Sequence, residues 1–303
     1  MTRQKKNNKK IISLIFSIII LIGIAISAPD EAINLLKDIQ VKYLSSDTSS
    51  SSKNETEANA SNIKIHFIDT GNSDAILIES EKTVLIDGAE NDDEKILPEY
   101  IKSLGIDTLD YVIATHVHAD HIGALDSVID SFKIGQLFAS NGKSTTKTYT
   151  DYIEAAARKG IYPSVPLEGT SYAIGHGAYI QFFTTKGGED TNNESLVTLL
   201  VNGSDKALFT GDIEKVAENR ILKDIPQVDL LKVAHHGSST SSSDAFLDKV
   251  NPKYAVITCG AGNSYGHPHK ETLNSLNSRN IEIYRTDKDG TITFISTGKG
   301  FLK

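Results

Sequence analysis

The chain has 303 residues with 39% hydrophobic and 23% charged side chains, which suits one or two folded domains with polar segments beside them. Its single cysteine, Cys259, excludes an intrachain disulfide framework and any cysteine-rich zinc or iron–sulfur cluster. The net charge of −8 is uneven: Arg3, Lys5, Lys6, Lys9 and Lys10 leave 26 basic against 39 acidic residues downstream, a balance of −13 that disfavours passive binding of nucleic acid.

Behind the basic tail, Ile11–Ala28 carries no charge. As a helix it spans about 27 Å, the short end for a bilayer crossing, and its basic flank keeps the N-terminus in the cytoplasm. A cleaved signal peptide ending near Ala25-Ile26-Ser27 is the rival reading, the length of the apolar run favouring the anchor. Both put the rest of the chain outside the cytoplasm, held at the cell membrane or secreted. Residues 29–62 read as a short helix, Pro29 to Leu44, and a Ser/Thr/Asn/Glu tether too polar to fold. The third segment, 63–303, is rich in Val and Ile and is the part of the chain expected to fold as a domain.

Short apolar runs in that segment predict strands at Ile63–Ile68, Ala75–Ile78, Thr83–Ile86, Tyr111–Thr115, Tyr179–Phe183, Ser195–Val201, Lys206–Phe209, Leu230–Ala234, Tyr254–Thr258, Ile281–Tyr284 and Thr291–Ile295. Helical spacing predicts helices at Glu94–Leu104, Ile122–Ser131, Thr148–Lys159, Glu214–Ile221, Ser242–Lys249 and His269–Ser278. Paired strands followed by alternation with helices predict a layered α/β sandwich, helices outside two packed sheets. The acidic run Asn91-Asp92-Asp93-Glu94 reads as a helix start and not as a site.

Seven of the nine histidines fall in three clusters. Thr115-His116-Val117-His118-Ala119-Asp120-His121 follows a buried strand. Alternation along an extended strand end lets His116 and His118 share one cation. Asp120 and His121 sit where the chain turns into a helix and can face a second cation. Imidazole and carboxylate together suit zinc or a similar transition metal. Leu208-Phe209-Thr210-Gly211-Asp212 ends another strand in a Gly-Asp pair. Alone that pair is a helix cap, but beside two metals Asp212 can bridge them. A third strand delivers His235-His236-Gly237-Ser238, and a Gly/Pro-punctuated loop carries Tyr265-Gly266-His267-Pro268-His269. His66 and His176 read as structural or exposed, and Cys259 as a buried small residue.

The His-x-His-x-Asp-His run at 116–121 resembles the hallmark of the metallo-β-lactamase fold superfamily. Further pieces look like the hydrolase domain of the ComEC DNA-uptake channel and its stand-alone relatives. These are Phe67-Ile68-Asp69-Thr70-Gly71, Ile86-Asp87-Gly88, Thr210-Gly211-Asp212, Lys232-Val233-Ala234-His235-His236-Gly237-Ser238, Tyr265-Gly266-His267-Pro268-His269 and Arg285-Thr286-Asp287. The resemblance implies a four-layer αββα sandwich over 63–303. It implies His116 and His118 on one metal, Asp120 and His121 on the other with one histidine of the 235/236 pair (His236 preferred), and Asp212 bridging. Two departures stand out: Asp190-Thr191-Asn192-Asn193-Glu194-Ser195 has no third histidine for the first metal, leaving Asn192 or Asn193 as weak substitutes. The opening loop reads Gly71-Asn72-Ser73-Asp74 where Gly-Gln-Gly-Asp is usual.

The expected cofactors are two zinc ions per chain, or manganese, sharing a hydroxide that attacks the substrate. Asp120, His235 and His269 are the expected catalytic groups, with His267, Arg285 and Tyr265 against the substrate. Arg285 has the alternative of pairing with Asp287 in a turn. The expected function is a metal-dependent phosphodiesterase of nuclease type outside the membrane, acting on short or single-stranded DNA or on a cell-envelope polymer. A single apolar segment cannot build a multi-helix pore, so any channel would be a separate partner. The alternatives are a hydrolase of β-lactams, lactones or thioesters, and a non-catalytic surface binding protein.

Overall fold

In a computed structural model, the chain divides into the units Met1–Glu55 and Thr56–Lys303. The described residues, 62–183 and 191–303, all belong to the second unit. The expected anchor and tether therefore lie outside the described residues. Among the described residues no helix is long and apolar enough to cross a membrane.

The first sheet contains β1 (Ile63–Phe67), β2 (Ile76–Glu79), β3 (Val84–Ile86), β4 (Thr108–Ala114), β5 (Lys133–Ala139), β13 (Ile292–Ser296) and β14 (Phe301–Leu302), in the order β14-β13-β1-β2-β3-β4-β5. The second contains β6 (Ser171–Gly175), β7 (Ala178–Phe183), β8 (Val197–Asn202), β9 (Asp205–Phe209), β10 (Leu230–Lys232), β11 (Tyr254–Ile257) and β12 (Glu282–Arg285), in the order β12-β11-β10-β9-β8-β7-β6. Each sheet joins an antiparallel part to a parallel part, β3-β4-β5 in the first and β9-β10-β11-β12 in the second.

Side-chain alternation along these strands divides the apolar residues into three cores. Ile65, Ile78, Ile113, Phe182, Phe209 and Phe294 meet between the sheets. Leu77, Leu85, Val112 and Leu137 face the opposite way, against the helices α1 (Ile96–Ser103), α2 (Ala119–Ile122), α3 (Leu125–Ser131) and α4 (Lys147–Arg158). Leu199, Leu208, Leu231 and Ile257 meet α5 (Lys215–Ile221), α6 (Asp244–Val250) and α7 (Lys270–Ser278). The short α8 (Thr286–Asp289) follows β12. Helix, sheet, sheet, helix is the four-layer order expected.

Three local differences from the sequence reading matter. The helix expected over Ile122–Ser131 is two helices broken at Gly123-Ala124, where backbone N–H groups turn to the carbonyls of Ala89 and Gly88. A Cβ at Gly123 would stand 2.3 Å from the Asn91 nitrogen, so this close approach requires glycine. The acidic run forms a separate 3-10 turn, Asn91–Asp93, capped by Glu90, ahead of α1. Strands β5, β6 and β14 lie at sheet edges, where half-exposed sequences such as Lys133-Ile134-Gly135-Gln136 lose the apolar signal that marks interior strands.

Candidate metal centre

The C-terminal ends of β3, β4, β9, β10 and β11 gather at one edge of the sandwich, the usual place for chemistry in parallel sheets. Asp87 follows β3, the 116–121 run follows β4, Asp212 follows β9, His236 follows β10 and Thr258 follows β11.

Asp120 Oδ2, His121 Nε2, Asp212 Oδ2 and His236 Nε2 form one group able to hold an ion, all four within 4.8 Å of one another. His121 Nε2 is 3.3 Å from Asp212 Oδ2, and His236 Nε2 is 3.3 Å from Asp120 Oδ2. Both rings are oriented from behind. His121 Nδ1 bonds Asp87 Oδ2 at 2.8 Å, and His236 Nδ1–H donates to the Thr258 carbonyl at 2.8 Å. Asp87 is fixed in turn by the Thr115 backbone N–H and hydroxyl, each at 2.7 Å. With Nδ1 engaged, each Nε2 is left buried with no hydrogen-bond partner. Two orphaned imidazole nitrogens facing two carboxylates are the donor set of a divalent cation, and Asp87 and Thr258 are the outer partners that such histidines require. The fit to a metal is good.

Electrostatics agree. Burial alone would lower His121 and His236. The carboxylates of Asp212 and Asp120 outweigh it, lifting His121 well above the imidazole range and His236 to about 10. Burial would likewise raise Asp120 and Asp212, yet His121 and His236 hold both below the usual carboxylate range. The metal-free group thus stores protons where a cation would sit.

His116 and His118 stand beside this group. His116 Nε2 is 3.1 Å from His118 Nδ1, and the His116 and His121 rings lie 4.1 Å apart, centroid to centroid. Burial, then the neighbouring His121, pushes His116 well below the usual imidazole value, so it is a neutral donor. No third histidine or carboxylate completes a group around His116 and His118 among the described residues. Where the third histidine is expected, Thr191 Oγ1 bonds His118 Nε2. Asn193 Oδ1 accepts from the backbone of Glu214 and Ala217 at the start of α5, and Asn192 lines the cavity.

His235 and His236 differ through their backbone. Both adopt left-handed conformations, φ 53° and 52°, so the chain doubles back and sends the two rings apart. His236 is buried in the four-ligand group, whereas His235 is part-exposed, with Nε2 3.8 Å from Asp212 Oδ2 and Nδ1 3.6 Å from Glu214. Above them is a cavity of about 920 Å³. It is lined by His118, His235, His236, His267 and Tyr265, and by the carboxylates of Asp69, Glu90, Asp92 and Asp93. The acidic run, read from sequence as a helix start only, therefore also lines the cavity through Asp92 and Asp93. Tyr265 is 68% exposed and stacks on His267, which stacks on His236. Burial and the imidazoles of His236, His235 and His269 push His267 down to about 4, leaving it uncharged at neutral pH.

Two expected site residues are placed elsewhere. His269 spends both ring nitrogens on its own surroundings: Nδ1 accepts from the Ser239 N–H at 3.0 Å, and Nε2 lies 3.2 Å from the Tyr265 carbonyl. It fixes the loop and does not line the cavity, because its position at the start of α7 turns it toward Ser239. Arg285 makes a two-point pair with Asp287, at 2.8 and 2.6 Å, and does not line the cavity either. Cys259 joins that pair through Asp287. His66 bonds Glu79 and Thr293, and His176 meets Glu81 at the surface.

Lys232 and Thr258 have no role in the sequence reading, and Asp74 appears there only as a surviving loop residue. All three pack beneath the four-ligand group. Lys232 pairs with Asp74, and the Thr258 hydroxyl donates to Asp74 Oδ1. For Lys232 the sequence does carry a signal: it interrupts the apolar strand Leu230-Leu231-Lys232-Val233-Ala234 and opens the motif that runs on to Ser238.

Residues 68–261 match the family described as Metallo-beta-lactamase superfamily. ComE operon protein 3 of Bacillus subtilis is 32% identical over 207 residues, covering 66% of this chain and 26% of that protein. Competence protein ComA of Neisseria gonorrhoeae is 28% identical, covering 67% of this chain and 27% of that protein. The chain spans about a quarter of the length of the curated relatives it matches. The solved metallo-beta-lactamase fold protein YhfI from Bacillus subtilis aligns with a TM-score of 0.49 at 13% identity, covering 78% of this chain and 100% of that one. The chain belongs to the metallo-β-lactamase superfamily, and the curated relatives it matches include competence proteins of the ComEC type.

Proposed function

We propose that this protein is a metal-dependent phosphodiesterase. The observation that carries the reading is the four-ligand group, three of whose members (Asp120, Asp212 and His236) line a cavity together with His118, His235 and His267. One or two divalent ions bound there, zinc or manganese, supply a water acidic enough to attack at neutral pH and offset charge building on the phosphate. Asp120 lines the cavity and lies 3.3 Å from His236 Nε2, which supports a role in orienting the attacking water as well as in holding the cation. His235, part-exposed beside Asp212 and Glu214, is the group in position to donate to a phosphate oxygen or to the leaving alcohol. His267, neutral at pH 7, offers a hydrogen bond without adding charge.

The acidic residues of the cavity support a choice of substrate class. Asp69, Glu90, Asp92 and Asp93 repel a long polyanion, so a short or single-stranded nucleic acid, or a cell-envelope polymer whose phosphodiester lies beside a neutral or positive group, suits the cavity. The names of the relatives, a competence protein among them, support the nucleic-acid alternative. The basic tail and uncharged Ile11–Ala28 support anchoring in the cell membrane, or export, with the catalytic unit outside and a separate channel protein as partner.

The test is hydrolysis of bis(p-nitrophenyl) phosphate by metal-stripped protein reloaded with zinc or manganese, beside His236→Ala. Metal-dependent turnover that disappears in the variant is the expected result. Turnover of a β-lactam, lactone or thioester panel with no phosphodiester cleaved would replace the proposal. Biological activity that survives metal removal would point to a binding protein.

A further inference from the structure

Among the described residues, Lys232 is the one lysine or arginine that is fully buried. It ends β10, where Leu230 packs between the sheets and Leu231 packs against the helices. Alternation therefore turns Lys232 back between the sheets, beneath the metal centre. Its Nζ pairs with Asp74, donates to the Gly211 carbonyl at 3.2 Å and lies 3.7 Å from Asp212 Oδ1. That oxygen has no hydrogen-bond partner, while Oδ2 of the same carboxylate faces His121 and His236 at 3.3 and 3.5 Å. The ammonium thus lies on the side of Asp212 turned away from the ligand group.

Asp74 ties this contact to the other ligands. Its backbone N–H donates to the Asp120 carbonyl at 3.0 Å. Its Oδ1 accepts from the hydroxyl of Thr258, whose carbonyl holds the His236 ring. Asp74 and Asp87 also form, with His121, a second buried group of metal-ligand type, and Lys232 already neutralises its Asp74 corner. A buried ammonium is costly to desolvate, and an apolar side chain would serve the packing as well. Stability alone does not account for it.

We propose that Lys232, braced by Asp74, is a positioning residue of the metal centre. Its tethered charge holds Asp212 with Oδ2 toward the cation and keeps a metal ion out of the adjoining Asp74–Asp87–His121 group. The proposal rests on the reading of Asp120, His121, Asp212 and His236 as a divalent-metal site and is independent of the substrate.

The test compares full-length wild type, Lys232→Met and the double variant Asp74→Asn/Lys232→Met, each stripped of metal. Zinc affinity is read by competition with a chelating dye, and ligand geometry by the visible spectrum of the cobalt(II) form. Removing both charges leaves neither member of the pair as a lone buried ion, so the double variant is expected to fold. It is expected to bind zinc about 10–100-fold more weakly, with an altered cobalt spectrum. A double variant that matches wild type in affinity and spectrum overturns the proposal, because a purely structural ion pair predicts that match. If neither variant folds, Lys232→Arg, which keeps the charge but changes its reach, decides: an altered cobalt spectrum supports the proposal, and a wild-type spectrum overturns it. A wild type that binds no divalent ion overturns the site reading itself, and this proposal with it.

Discussion

His121 and His236 are useful as ligands because something else holds their Nδ1. For His121 that partner is Asp87, a buried carboxylate whose own oxygens are fixed by Thr115. Asp87→Asn keeps the shape but weakens the orientation and basicity of the ring, so zinc affinity should fall about 10–100-fold with the fold intact. A chelator competition assay measures this, and unchanged affinity would remove Asp87 from the site. The raised proton affinity of His236 has a second consequence. Its folded value, about 10, lies above the ordinary 6.5. The proton-linked stability it gives the metal-free protein is therefore complete below pH 6.5 and is lost as pH rises toward 10. Metal takes the place of that proton, so the rise in melting temperature on adding zinc should grow from pH 6 to pH 9. Melting curves with and without chelator test the sign; a shrinking gain would mean that the group does not bind metal through His236. The residues at 116–121 were legible in the sequence because four potential ligands crowd into six positions. Lys232, Asp74 and Thr258 were not, because they meet only when strands far apart in the chain pack together: Asp74 and Thr258 are 184 positions apart.

At the scale of elements, the parallel strands do the positioning. β9 and β10 pair in register from Leu230 opposite Ala207 to Lys232 opposite Phe209, which brings Asp212 and His236 off neighbouring strand ends. The turn after β10 then places two consecutive non-glycine residues in the left-handed region. Each costs of order 1 kcal/mol, borne where the surrounding structure compels it. Glycine relieves the cost at 235, so His235→Gly should be about 1 kcal/mol more stable than His235→Ala, although both lose the same imidazole. Denaturant unfolding of the two variants checks this; equal stabilities would show that the backbone is not left-handed there. Interior strands were legible as apolar runs such as Leu230–Ala234, whose inner and outer faces are both covered. Edge strands β5 and β6 were not, since their exposed residues break the run. The break between α2 and α3 escaped the helical pattern because it depends on Gly123 meeting the Glu90–Asn91 backbone, a contact that periodicity does not carry.

For the molecule as a whole, two sheets are joined back to back and their strand ends supply one cluster from both halves. Asp87, Asp120 and His121 come from the first sheet's side, Asp212 and His236 from the second. The site therefore exists only when the sandwich has closed, and a metal bound across it ties the two sheets together. The four-layer architecture was legible from the alternation of strands and helices, because three separate apolar faces need three cores. The acidic balance was legible too, but not that Asp69 from the β1–β2 loop lines the same cavity as Glu90, Asp92 and Asp93. The central claim is that Asp120, His121, Asp212 and His236 hold a divalent metal, and metal content tests it most directly. Wild type, His121→Ala and His236→Ala would be dialysed against zinc and assayed by elemental analysis. Tightly held zinc in the wild type, at least one ion per chain, with at least one ion fewer in either variant, is the predicted result. Equal zinc in all three folded proteins, or none in the wild type, would contradict it.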